Sequence, residues 1–159
     1  MIRLFILLIF ISSSFVGAMA QTSQSDEVKG TYWNAEKTSH IRIYRAKNGK
    51  YYGKIEYLKE PNDENGNPKT DPENPNKELR SRSRLGMVIM NSFSWNESES
   101  RWEDGKIYDP VSGNTYDGYM YFEGDNRTVL YLRGYMLGMT WLGRTSEWTM
   151  GPKKGPQIG

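Results

Sequence analysis

Cysteine is absent from the 159 residues, histidine occurs once, at position 40, and no excess of one charge exists, since 21 Lys and Arg oppose 19 Asp and Glu. The first absence excludes a disulfide framework, a Cys-ligated zinc or iron–sulfur site and a thiol nucleophile. The second excludes any two-histidine metal motif and leaves His40 as the one imidazole for acid–base work. Near-neutrality sets up no field pointing to nucleic acid or an acidic substrate. A long apolar run is missing too: residues 4–11 fall well short of the ~20 residues that span a bilayer.

What is present at the start is a leader. Residues 1–20 place Arg3 ahead of the apolar run, then a Ser-rich break, then Ala18-Met19-Ala20, a small-x-small cleavage pattern. A secretory signal peptide is therefore expected over 1–20, with the mature chain starting at Gln21 and the protein periplasmic or secreted. No Cys follows the run, so a lipid-attached lipoprotein is excluded and no stable membrane anchor is expected. Three of the five Phe leave with the leader, so the remaining aromatics are mostly Tyr and Trp, rings with an apolar body and a polar edge.

Helical periodicity is scarce, while short β-branched and aromatic runs separated by Gly, Asn, Asp and Pro recur along the chain. This is the pattern of an all-β domain. Residues 40–45 alternate strictly, Asn48-Gly49 turns the chain, and 51–58 return, the strongest short-range hairpin signal. Other strands are expected at 28–34, 87–95, 106–108, 114–123, 128–136 and 139–150, eight in all. Short turns between them favour antiparallel neighbours. The domain is expected over 28–150, flanked by flexible segments 21–27 and 151–159.

Residues 59–84 depart from this pattern, with four Pro and almost no apolar residue before Leu79. A loop of that length is functional or disordered. Its Asp63-Glu64-Asn65-Gly66-Asn67 reads as turn chemistry rather than a calcium loop, because the glycine is fourth where an EF-hand needs it sixth. Arg80, Arg82 and Arg84 stand at spacing two, hence on one face of an extended chain. They read either as a solvated basic edge or as a surface for an anionic group or a partner.

Catalytic equipment is thin. His40, at the head of a strand beside Arg42 and Tyr44, reads as a surface residue, and no triad can form without it. Glu103, Asp104 and Asp109 could supply a carboxylate pair, but Glu103-Asp104-Gly105 and Asp109-Pro110 both read as turns. No catalytic residue, metal or cofactor is expected, and the protein is read as non-enzymatic. The stripe Tyr131, Arg133, Tyr135, with Tyr119, Tyr121, Trp141 and Trp148, reads as barrel wall or as a stacking surface.

Several spaced motifs occur together: Tyr51-Tyr-Gly-Lys-Ile55, Leu58-Lys-Glu-Pro61, Asp71, Asn74-Pro75, Leu79-Arg80, Trp102, Gly105-Lys-Ile-Tyr-Asp-Pro110, Thr115-Tyr116, Arg133-Gly-Tyr135 and Gly143-Arg-Thr145. In this order they resemble the domain of unknown function 2147, a family of small exported bacterial proteins. The resemblance covers roughly 28–150 and implies a single antiparallel barrel of about eight strands, lipocalin-like or like the fatty-acid-binding proteins. It implies no established activity. Where that family has Gly-x-Trp, this chain has Gly30-Thr-Tyr-Trp33, and the resemblance implies a clamp in which Arg144 stacks on Tyr32 or Trp33.

The leading expectation is a small hydrophobic or amphipathic ligand held in the barrel, lined by Tyr51, Ile55, Tyr57, Ile89, Asn91, Phe93, Leu130 and Leu132. The alternative is a filled barrel serving as an envelope interaction module through the 59–84 loop.

Overall fold

The hairpin at Asn48-Gly49 forms as its sequence requires: Ala46 and Lys50 bond across it, and Gly49 takes φ 80°. The same logic runs through the whole chain. In the computed structural model, which describes residues 23–152, eight antiparallel strands follow one another around a closed barrel. They are β1 (Gly30–Trp33), β2 (Ser39–Arg45), β3 (Tyr51–Leu58), β4 (Val88–Asn96), β5 (Arg101–Asp109), β6 (Asn114–Tyr121), β7 (Val129–Tyr135) and β8 (Arg144–Met150). The seam is short: Tyr32 pairs with Met150 and Trp33 with Thr149. The expected leader over 1–20 and the end of the expected tail lie outside the described residues.

Two expected elements take a different form. Glu103-Asp104-Gly105 is not a turn but a bulge inside β5, with Asp104 at φ 59° and the register with β6 shifting between Trp102 and Gly105. The strand therefore begins at Arg101. Residues 139–143 do not begin the last strand; they form a 3₁₀ turn, Thr140–Leu142, and β8 starts only at Arg144.

Side chains fill the barrel where its glycines make room. Gly105 pairs with Gly118 and Gly118 with Gly134, a row across β5, β6 and β7. A Cβ on Gly105 would lie 2.3 Å from the Phe93 ring, on Gly118 2.5 Å from Ile107 Cδ1, and on Gly53 2.6 Å from Met90 Sδ. Large side chains thus lie against bare backbone on the neighbouring strand, which is how a small barrel closes without voids. Tyr32, Tyr51, Phe93, Met90, Trp102, Met120 and Leu130 are wholly buried there.

One end is stoppered by the N-terminal turn Gln24–Asp26. Trp102 donates its indole N–H to Ser25 O at 2.8 Å, Tyr51 its hydroxyl to Asp26 Oδ1 at 2.9 Å, and Tyr32 its hydroxyl to Val28 O at 3.1 Å. Lys29, 2.9 Å from Asp26, does most to hold that carboxyl below its usual range, with Tyr51 and Arg45 adding to it against the effect of burial. Arg127 pairs with Glu27 and lies 5.1 Å over the Phe122 ring. Of segment 21–27, expected to be flexible, the described residues 23–27 are thereby tied to the barrel floor.

Candidate functional site: the loop end of the barrel

The opposite end carries the β1–β2, β3–β4, β5–β6 and β7–β8 connections. The longest, β3–β4, contains the polar 59–84 stretch and is folded rather than loose. Bridges pair Asn62 with Pro68 and Thr70 with Ser83, and a 3₁₀ turn spans Lys77–Leu79. Its centre is Asp71, 0% exposed, which receives the Tyr108 hydroxyl at 2.6 Å, Asn74 Nδ2 at 2.7 Å and Arg82 Nε at 3.0 Å. Burial pushes the carboxyl up, but these three donors and the Arg82 charge outweigh it and hold the group below its usual range. A buried carboxylate so fully supplied with donors is a rigid fastening point.

The three arginines are spent largely on this fastening. Arg80 donates to Asn74 O at 2.8 Å, Arg82 pairs with Asp71, and Arg84 donates to Thr70 O at 2.6 Å and Pro110 O at 2.9 Å. The spacing that suggested a basic edge serves first to lace the loop onto itself and onto the β5–β6 turn. In that turn Asp109 accepts the Val111 N–H and the Ser112 hydroxyl, as its sequence context indicates. Asp63 likewise accepts the N–H groups of Asn65 and Asn67.

Apolar exposure is concentrated at the same end. Of the eight exposed large apolar residues among the described residues, Leu79, Leu85, Val111, Met136, Leu137, Trp141 and Leu142 lie on its connections, and only Met150 lies elsewhere. Composition alone could have signalled this in 136–143, where Met, Leu, Met, Trp and Leu occur without a charge. That signal was hidden by reading 139–150 as strand.

The expected cavity lining divides. Tyr51, Ile55, Ile89, Phe93, Leu130 and Leu132 are buried in one apolar core. Asn91 does not join them. It pairs with Lys106, which is ion-paired to Asp117 on the outer face, because the irregular Ser92 at φ 61° interrupts the alternation of β4. Tyr57 also leaves the lining: a bulge in β3 at Glu56 moves it off the Ile55 face, and it pairs with His40. Two concavities lie on the barrel's outside, at the stoppered end; one is bordered by Arg101, Tyr119 and Tyr121, the other by Thr31, Arg42 and Tyr44.

His40 is a correction. It is 3% exposed, with the Trp33 ring edge-on at 3.8 Å and the Tyr57 ring at 4.8 Å, and neither ring nitrogen has a hydrogen-bond partner among the described residues. Burial lowers its pKa, and the Glu56 charge opposes this. The aromatic neighbours that shield it come from β1 and β3, so no local pattern reveals them. The Arg144 clamp is corrected too. Arg144 is exposed and pairs in register with Gly134 at the loop end, whereas Tyr32 pairs with Met150 at the other end of β8. The floor is closed instead by Trp102 and by Arg127 on Phe122.

The carboxylates do not form an acid–base pair. Glu103 is engaged by Asn96 and Arg101, which lower its pKa in that order, and Asp104 stands exposed on the bulge. The stripe Tyr131, Arg133, Tyr135 does lie on one face, the outer one: Tyr121 stacks on Tyr131 at 5.3 Å and Arg101 lies 4.6 Å over Tyr119.

A closed eight-strand antiparallel barrel, stoppered by an N-terminal 3₁₀ turn and a buried tryptophan, places the protein in the lipocalin-like class. The solved structure of protein HP1028 from the human pathogen Helicobacter pylori, described as belonging to the lipocalin family, matches it with a TM-score of 0.63 and 25% sequence identity, covering 79% of this chain and 83% of that one. Residues 30–150 match the family described as "Uncharacterized protein conserved in bacteria (DUF2147)", and the chain belongs to that family. No curated protein matches it.

Proposed function

We propose that this is an exported, non-enzymatic binding module that works from the loop end of its barrel. The lipocalin-like fold is typically a binding fold, and export rests on the leader pattern of residues 1–20. The observation that carries the reading is the placement, among the described residues, of seven of eight exposed large apolar residues on the connections of one end. Soluble domains seldom leave such a concentration uncovered without a use for it. The Asp71 fastening supports the same reading, because a pre-organised loop loses little conformational freedom on binding.

A ligand inside the barrel is the second reading. It is favoured by the partial exposure of Ile107, Tyr116 and Ser146, which share a register row or face with the core near the loop end. It is disfavoured by the packing of Phe93, Met90 and Ile107 against the glycines below. Titration with a fluorescent fatty acid separates the two. The loop-end reading expects no saturable, displaceable binding, and it expects sedimentation with isolated envelopes that is lost when Leu137 and Trp141 become Ser. Stoichiometric probe binding unaffected by those substitutions, with unchanged sedimentation, overturns it.

A further inference from the structure

Residues 136–143 form the most apolar part of the loop end. Leu137 is 83% exposed and Trp141 73%, with Met136 and Leu142 beside them. Leu137 sits at φ 54° ahead of Gly138 at 71°, a left-handed backbone that a leucine adopts at a cost. That cost holds an apolar side chain out into solvent, the opposite of what stabilises an isolated barrel.

Three further observations select the occupant. The first is the backbone. Met139, Thr140, Leu142 and Gly143 donate their N–H groups to Met136, Gly138, Met139 and Thr140 carbonyls within the loop, and Arg133 donates to Thr140 O through both Nε and Nη2. With four of its N–H groups bonded inside the loop, the penalty of entering a dehydrated interface is reduced. The second is charge. Between Thr128 and Ser146 the charged residues are Arg133 and Arg144, with no acid. Arg144 is exposed, and its side chain has no hydrogen bond or ion pair among the described residues. Asp117, the carboxylate opposite Tyr135, is already paired with Lys106. The third is size. A stable protein interface takes roughly 800 Å² per partner with matched shape, whereas a lipid surface needs no matching shape and can be met by the four exposed apolar side chains of one short connection.

We infer that this tip docks the barrel reversibly on a lipid bilayer bearing anionic headgroups. Leu137, Trp141 and Leu142 enter the boundary between headgroups and acyl chains, Arg144 meets lipid phosphate, and Arg133 holds the loop in shape. Tryptophan suits that depth because its ring is apolar and its N–H remains in the polar layer. No helix among the described residues is long and apolar enough to cross a membrane, and peripheral docking requires none. The inference rests on the loop end being the working surface and names what it meets.

The test is flotation of protein recovered after export, free of its leader, with phosphatidylcholine vesicles containing or lacking phosphatidylglycerol. Binding is expected with phosphatidylglycerol and weaker without it. It should fall about tenfold or more in the L137S/W141S double variant, and by a smaller factor in R144E or at raised salt. Circular dichroism checks that the variants remain folded, which their exposure predicts. Absence of vesicle binding overturns the docking. If envelope sedimentation still depends on Leu137 and Trp141, or if these residues instead drive self-association, the loop end remains the working surface with a protein as its occupant. If neither is seen, both readings fall.

Discussion

Trp102 of β5 donates its indole N–H to the carbonyl of Ser25, 77 positions earlier in the chain, at 2.8 Å. Through that bond a strand in the middle of the sequence fixes the N-terminal turn across the barrel floor, while the ring packs between Tyr51, Trp95 and Phe122. Floor and wall are thus one unit.

Replacing Trp102 by Phe keeps an aromatic ring and removes the donor. With the Ser25 carbonyl unsatisfied, stability should fall by roughly 1–3 kcal/mol. Residues 24–29 should exchange their amide hydrogens faster than the strands do. Urea unfolding and hydrogen exchange measure the two effects, and unchanged protection of 24–29 would contradict the role assigned to this bond.

Asp71→Asn leaves Arg82, Tyr108 and the Asn74 amide competing for a neutral acceptor. The loss should be about 1.5–3 kcal/mol, the range for hydrogen bonds to a charged group. Because folding depresses the carboxyl's pKa, its contribution is complete above the unfolded value of about 4 and is lost as pH falls through the lower folded value. Wild-type stability should therefore drop on acidification below that point, and D71N should drop less. Denaturation midpoints from pH 6 down to 3 would show it; parallel curves would count against the network.

The His40 pKa is lowered by folding, so the unfolded state takes up the proton first. Stability should be level above the ordinary histidine value of about 6.5 and decline as pH falls from there toward the folded value. His40→Leu should remove that slope while remaining folded, since the surrounding rings are apolar. Urea midpoints at pH 8, 6 and 5 for the two proteins decide the matter, and identical slopes would refute it.

Gly105→Ala sets a methyl group against the Phe93 ring. Overpacking should cost about 1–3 kcal/mol. Phe93→Leu costs stability by itself through the space it leaves, but in the G105A background it relieves the clash, so the double variant should be less damaged than the sum. Simple additivity in a thermal-denaturation cycle would mean the two sites do not touch as described.

The hairpin at Asn48-Gly49, the turn at Asp109 and the count of eight strands were legible because each depends on residues adjacent in the chain. The residues at 103–105 were misread for the same reason: Glu-Asp-Gly has identical local preferences in a turn and in a bulge, and only pairing with β4 and β6 distinguishes them. The burial of His40 was illegible because the Trp33 and Tyr57 rings that cover it come from other strands, and the outward position of Asn91 because the irregular Ser92 reverses the alternation that a linear reading assumes. The apolar tip at 136–143 was written in the composition, yet it looked like more strand until the chain was seen to leave the barrel at Tyr135.

By itself, then, the sequence determined the all-β class, the antiparallel order and the lack of cysteine or paired-histidine chemistry, since periodicity, turn residues and composition are local properties. Tertiary structure alone decided which side chains fill the barrel, which end is stoppered and where the apolar surface gathers. These depend on register and closure, which bring residues as distant as Ser25 and Trp102, or Asp71 and Tyr108, into contact.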